Sequence, residues 1–197
     1  MKKQRATLAF TLSAAVLLTA CNTNVNNEVN QAKAQVTETV KQELKNTVLF
    51  EAHHDGRLYI FDNFAVYQDF LALGETSYRK VRIGEGPKGE TIVFGLTNED
   101  KKKTSGIASI DMYDGKLKGA SEFYGEMYTE EGRIYVFSSL EEMTQARLVG
   151  EVPLRYTDIG SGPKGETVVY ALNSDNKKKK PVALIAKFKA IHALQTP

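Results

Sequence analysis

Short apolar runs, broken by Gly, Asp and Pro, fill the chain from Thr47 onward, and each run has strand character. Val48-Leu49-Phe50-Glu51-Ala52-His53 predicts a first strand. His54-Asp55-Gly56 predicts a tight turn, because Asp-Gly accepts the positive φ angles of a short hairpin. Arg57 to Phe61 returns as a second strand, with Leu58 and Ile60 on one face and Tyr59 and Phe61 on the other. Apolar residues on both faces place it inside a sheet. The period then changes. Phe64, Tyr67, Phe70 and Leu71 share one side of a helix that Asp62-Asn63 can cap and Gly74 can end. Residues 78–83 and 91–96 predict two further strands, joined by a turn in which Pro87 presets φ and Gly86 and Gly89 can take positive φ.

The same pattern then recurs. Ile83-Gly84-Glu85-Gly86-Pro87-Lys88-Gly89-Glu90-Thr91 returns as Ile159-Gly160-Ser161-Gly162-Pro163-Lys164-Gly165-Glu166-Thr167, an offset of 76. Between residues 56–103 and 132–179, 20 of 48 positions are identical, which implies a duplicated module with an ungapped offset. In the second copy Ser138 or Ser139 caps the helix, with Glu141 or Glu142 at capping-box spacing. Its apolar face is thinner, formed by Leu140, Met143 and Leu148. Residues 107–113 read as extended, residues 114–120 as a Gly- and Lys-rich linker, and the tail of residues 181–194 as strand or helix, with an extended start at Val182 favoured. The expected fold class is therefore α+β. Two β-β-α-β-β modules, each with a four-stranded sheet and spanning residues 47–121 and 122–197, pack as a pseudo-symmetric pair.

The first residues follow another rule. Met1-Lys2-Lys3-Gln4-Arg5 is a positive start, and the apolar run from Ala6 to Leu18 is too short to span a bilayer. It ends in Leu18-Thr19-Ala20-Cys21, which resembles a bacterial lipobox. That resemblance implies a leader over residues 1–20, cleavage before Cys21, diacylation of its thiol and a lipid-held membrane protein. It also implies the cell envelope, and Asn22 after the cysteine points to the outer membrane, facing the periplasm. Residues 21–46 then form a tether and an amphipathic helix, with Val25, Val29, Ala32, Val36, Val40 and Leu44 in one stripe.

Composition narrows the chemistry. Without residues 1–20 the chain carries 23 basic and 24 acidic side chains, so the formal charge falls from +2 to −1 and no nucleic-acid partner is expected. Cys21 is the single cysteine, so no internal disulfide or thiolate metal site is expected. Gly84 to Gly89 and Gly160 to Gly165 match G-x-G-x-x-G, but strand-like Glu-Thr-Ile-Val and Glu-Thr-Val-Val follow where a dinucleotide site needs a helix. No nucleotide, cofactor or metal is therefore expected. His53 and His54 adjoin on a strand and point to opposite faces, so they do not readily share an ion. No local nucleophile–base motif is visible. The runs Lys101-Lys102-Lys103 and Lys177 to Lys180 concentrate positive charge, suited to anionic headgroups or glycans or simply to solvent.

The candidate ligand contacts are the repeated Arg57, Tyr59, Arg133 and Tyr135, which offer guanidinium donors and hydroxyls to an anion. Lys88 and Lys164 on the repeated turns join them. Gly-x-x-Tyr-x-Phe-x-Ser at Gly132 to Ser139, followed by a helix, resembles the opening of YHS-type modules. The cysteines usual there are missing, so the resemblance implies a hairpin and short helix and nothing about metal. The function expected is a non-catalytic binding or structural role at the envelope, with an envelope protein as a possible partner. The alternatives are an enzyme with a cleft between the modules and an assembly partner docking through helix 25–44.

Overall fold

The computed structural model describes residues 46–194, so the leader, Cys21, the tether and the 25–44 helix lie outside the described residues. The strands are β1 (Val48–His54), β2 (Arg57–Phe61), β3 (Arg79–Arg82), β4 (Thr91–Gly95), β5 (Tyr124–Tyr128), β6 (Arg133–Phe137), β7 (Arg155–Asp158) and β8 (Thr167–Ala171). The helices are α1 (Phe64–Leu73), α2 (Ala108–Tyr113), α3 (Leu140–Val149) and α4 (Val182–Ile191). The chain is of mixed α+β type, and none of the described helices is long and apolar enough to cross a membrane.

All eight strands form one sheet, in the order β3-β4-β2-β1-β5-β6-β8-β7, where the sequence suggested two separate sheets. The join is a parallel pairing of β1 with β5, from Val48 opposite Tyr124 to Ala52 opposite Tyr128. Each of these strands has one edge left after its hairpin forms. Pairing the two edges satisfies backbone groups that two sheets would leave open. Outward from the join, both halves read alike. β1 is antiparallel to β2, β2 parallel to β4 and β4 antiparallel to β3; β5, β6, β8 and β7 repeat that sequence of pairings.

Local signals that recur in the sequence give recurring geometry. Asn63 accepts the Val66 N–H at 3.1 Å to start α1, and Ser139 accepts the Glu142 N–H at 3.2 Å to start α3. Gly74 and Gly150 end these helices at φ 74° and 80°. In the two Gly-Pro turns, Gly86 and Gly162 donate to the carbonyls of Glu90 and Glu166 at 2.9 and 3.0 Å. The Glu90 and Glu166 carboxylates accept the Lys88 and Lys164 amides, each at 2.7 Å. Each turn leads into a strand, β4 or β8.

The hairpins break the even offset. Asp55-Gly56 is a two-residue turn with both φ angles positive, whereas Glu130-Glu131-Gly132 is one residue longer. Phe50 therefore opposes Phe61, but Gly125, not Glu126, opposes Phe137. Before Gly56 the structural offset is 75, so Glu51 corresponds to Glu126, and His53 and His54 to Tyr128 and Thr129. The extra residue leaves the hairpin pairing equivalent in the two halves. Corresponding residues fall on opposite faces because the halves are related by a rotation about an axis along the parallel β1–β5 join, which exchanges the faces of the sheet.

Two segments expected to start extended are helical. Ile107-Ala108 leads into α2, where Ala108 and Met112 pack onto the sheet. The tail forms α4, burying Ile185 and Phe188. Burial of one side of each segment outweighs the strand preference of its β-branched residues. Helices cover both faces. Leu49, Leu58, Ile60, Phe94 and Phe137 pack with α2 and α3 on one side. Phe50, Phe61, Val136 and Tyr170 pack with α1 and α4 on the other.

The parallel pairs β1–β5, β2–β4 and β6–β8 bring all four hairpin tips to one end of the sheet. The loops that carry Lys101 to Lys103 and Lys177 to Lys180 follow β4 and β8 and lie at the opposite end. The chain enters β1 at that same opposite end.

Candidate functional site: two grooves at the hairpin tips

At the tip end, each face of the sheet carries a groove, and each groove is lined by residues from both halves of the chain. The first, a cavity of about 410 Å³, lies between the β1–β2 tip, the turn before β4 and the C-terminal end of α3. Arg57, Lys88, Tyr135, Thr129 and Arg147 line it, together with Glu90, Glu130, Glu131 and Glu151. The second, about 550 Å³, lies between the C-terminal end of α1, the β5–β6 hairpin and the turn before β8. Phe70, Leu71, Leu73, Ile134, Pro163 and Lys164 line it, with His53, His54, His192 and Glu166.

Arg147 is the fixed point of the first groove. It stands in the last turn of α3, with 4% of its side chain exposed. Its Nε donates to Glu51 Oε1 at 2.8 Å, and Nη2 donates to the same oxygen. The guanidinium also lies over the Tyr113 ring, 4.8 Å from its centre. Nη1 has no acceptor among the described residues, while the side chain lines the groove. Glu51 is fully buried on β1. Its charge, reached through Coulombic attraction and hydrogen bonding, holds the Arg147 guanidinium above its ordinary pKa against the opposing effect of burial.

The acids of this groove are partly engaged. Glu90 accepts the Lys88 amide, Glu130 accepts the Gly56 amide at 3.2 Å, and Glu131 lies 3.8 Å from Arg133. The lining thus carries both signs of charge: the buried Arg147 and the exposed Arg57 and Lys88, with the carboxylates of Glu90, Glu130, Glu131 and Glu151.

The second groove has a different floor. His192, just after α4 and with 4% of its side chain exposed, places Nε2 at 2.8 Å from Glu126 Oε1. The Tyr124 hydroxyl donates to that same oxygen. Phe64 meets the imidazole edge-on at 5.0 Å between ring centres, and Phe188 packs against it at 4.6 Å. Burial, then the nearby Glu126 charge, pushes the Tyr67 and Tyr124 hydroxyls well above the usual phenol range. Lys164 Nζ reaches the Leu71 carbonyl at 3.5 Å across the groove mouth.

The six candidate residues are divided between these places. Arg57, Lys88 and Tyr135 line the first groove and Lys164 the second. Tyr59 is buried under α1, its ring 4.2 Å from that of Phe70, and it borders a third recess with Arg57. Arg133 lines none of the three recesses. No single cleft gathers both Arg–Tyr pairs, because the rotation that relates the two halves about the β1–β5 join places Tyr59 and Tyr135 on opposite faces. His53, at the end of β1, lines both grooves, while the neighbouring His54 turns its ring to Tyr59 and Phe70 on the α1 face and, with His192, lines the second groove. Among the described residues no group of His, Cys, Asp or Glu is arranged to hold a metal ion.

Sequence reading missed Arg147, Glu51, Glu126 and His192. A charged residue in the middle of the apolar run Val48 to Ala52 was the available signal for Glu51, because a glutamate inside a core strand requires a partner. No protein-family model, curated protein or solved structure matches the chain.

Proposed function

We propose that this chain is a lipid-anchored binding protein of the cell envelope, built by duplication of a β-β-α-β-β module, and that the first groove is its ligand site. The observation that carries the reading is Arg147: a buried guanidinium, held by Glu51 and Tyr113, with an unengaged nitrogen in a cavity that Arg57, Lys88 and Tyr135 also line. Holding an arginine in place before a ligand arrives lowers the ordering cost of binding and suits planar two-point recognition of a carboxylate. Its volume lies within the range of about 300–1,000 Å³ usual for small-molecule sites.

The lining selects the class of ligand. A multiply charged anion would face Glu90, Glu130, Glu131 and Glu151. A small zwitterion of amino-acid or short-peptide type fits better, with its carboxylate on Arg147, Arg57 and Lys88 and its ammonium towards Glu131 or Glu151. The Thr129 hydroxyl is engaged by the Arg133 backbone, and the role proposed for the groove is capture.

Anchoring follows from the lipobox resemblance at Cys21 and from the direction of the chain. The lysine loops occupy the end at which the chain enters β1, so an anchored protein presents them to headgroups and holds both grooves away from the membrane. The test is a thermal-shift and calorimetric screen of the full chain against free amino acids and dipeptides. A saturating ligand at about 100 times Kd stabilises by about 2.7 kcal/mol. Arg57→Ala and Lys88→Ala should abolish the shift and Lys164→Ala should leave it. A shift equal in all three variants, or none with any probe, overturns the reading.

A further inference from the structure

The second groove differs from the first in one decisive position. Under the duplication, Leu71 stands where Arg147 stands, and Phe70 stands where Ala146 stands, each 76 residues earlier. The same frame, a helix C-terminus from one half and a Gly-Pro turn from the other, is therefore lined mainly by apolar side chains, with His192, held by Glu126, beneath them. Its polar lining residues include Lys164, His54, His192 and Glu166. Lys164 lies at the mouth, with only a long 3.5 Å bond to the Leu71 carbonyl. His54 stands nearby, about half exposed, and its Nε2 lies 3.5 Å from an ion-pair partner, Asp55. Glu166, the one carboxylate in the lining, is engaged by the Lys164 amide.

We infer that this groove is a second ligand site, for an amphiphilic monocarboxylic acid whose aliphatic chain lies on Phe70, Leu71 and Ile134 and whose carboxylate meets Lys164. The chemistry follows from both halves of the lining. An apolar cavity of about 550 Å³ open to water is filled favourably by a hydrocarbon chain, at about 25 cal/mol for each Å² removed from solvent. A neutral hydrocarbon would leave Lys164 and His54 unused, whereas a carboxylate gains a charge-assisted bond that the Leu71 carbonyl does not match. The opposing influence is the C-terminal end of α1, whose carbonyls disfavour an anion. Gly74 caps that end, with its N–H on the Phe70 carbonyl at 2.7 Å, and the lysine carries a full charge against a partial one. The ligand of the first groove plays no part in this inference, so either site can fail without the other.

The test uses the full chain carrying Cys21→Ser, so that no acyl chain of its own competes, with 11-(dansylamino)undecanoic acid as the fluorescent probe. Saturable emission enhancement, displaced by dodecanoate and at least tenfold less well by dodecanol, is the expected result. Leu71→Arg, which copies the residue of the other groove, should abolish it, and the exposed change Lys164→Glu should weaken it about tenfold or more. Arg57→Ala and Lys88→Ala should leave probe affinity unchanged while removing zwitterion binding. Absence of saturable binding overturns the inference. So does equal displacement by acid and alcohol, or probe affinity unaffected by Lys164→Glu, which preserves the fold because its side chain touches only the groove mouth.

Discussion

Glu51 and Glu126 stand on neighbouring strands, one register step apart, and are both fully buried with their carboxylates on opposite faces of the sheet. Glu51 meets Arg147 under α3, and Glu126 meets His192 beyond α4. Burying a carboxylate is costly unless it is paired, so each position commits a partner on the helix above it. That partner then forms part of a groove. The two core glutamates thus connect the join between the halves to the two sites at its end.

The Glu51–Arg147 pair gives the first prediction. Glu51→Ala leaves a buried guanidinium without its counter-charge and should destabilise the fold by about 3–5 kcal/mol. Replacing both members, as Glu51→Leu with Arg147→Met, should recover most of that loss, because apolar groups of similar size replace a buried ion pair at little net cost. Urea unfolding of the single and double variants measures the difference. A single variant as stable as the parent would mean that the pair does not hold α3 to the sheet.

A second prediction concerns a place where the halves differ. A Cβ added at Gly95 would come within 2.2 Å of the Phe61 ring and 3.2 Å of Thr76 Oγ1. The corresponding residue 76 positions on is Ala171, already a methyl and buried in the same layer as Phe137. Gly95→Ala should therefore cost about 1–3 kcal/mol through overpacking. Ala171→Gly should cost about 1 kcal/mol through lost contact and backbone entropy. Both are read from the midpoint of denaturant unfolding. Equal tolerance at the two sites would show that Phe61 can move aside.

Much of this fold was legible from residues. Asn63 and Ser139, Gly74 and Gly150, and the two Gly-Pro turns act through local bonds within a few positions, and local bonds leave a sequence signature. The single continuous sheet was not legible, because the β1–β5 pairing joins Val48 to Tyr124 and no local pattern encodes such a distance. The helices α2 and α4 were hidden for a similar reason: Ile107 and Val182 carry strand preference, and tertiary burial decides against it. The added residue in the Glu130-Glu131-Gly132 hairpin shifts the correspondence before Gly56 from 76 to 75, so an ungapped offset does not align Glu51 with Glu126. At the grooves, Lys88, Lys164, Arg57 and Tyr135 were visible as repeated residues. Arg147 was not, since its counterpart is a leucine.

Asp114 supplies a pH prediction. Two hydrogen bonds from Arg82, at 2.6 and 3.1 Å, hold its carboxyl at about 2 against an ordinary 3.8, with Lys116 assisting and burial opposing. A carboxyl whose pKa is lowered by folding stabilises the native state when ionised. The contribution is thus complete above about pH 4 and fades as pH falls towards about 2. Asp114→Asn should lower stability by about 1 kcal/mol near neutral pH, with the difference from the parent vanishing by about pH 2. Thermal unfolding across that range checks the sign. A constant difference at all pH values would mean that the residue acts through packing alone.

The proposed orientation on the membrane gives the last prediction, and it separates two sources of attachment. If Cys21 is acylated, Cys21→Ser should move the protein from the membrane to the soluble fraction, because a lipid chain contributes about 0.8 kcal/mol per buried CH₂ and nothing among the described helices replaces it. The lysine loops add a weaker, salt-dependent attraction of about 1 kcal/mol per lysine close to an anionic surface. Lys103 is already paired with Asp100 at 2.5 Å, so the free charge lies mainly in Lys102 and in the loop of Lys177 to Lys180. With the Cys21→Ser chain, vesicles containing anionic lipid should retain more protein at low salt than neutral vesicles do. Lys177→Glu with Lys178→Glu should erase that difference without altering ligand binding, because these residues lie at the far end of the sheet from both grooves. Retention that ignores both salt and these substitutions would turn the molecule over, placing the hairpin tips, with exposed Ile83 and Ile159, against the bilayer.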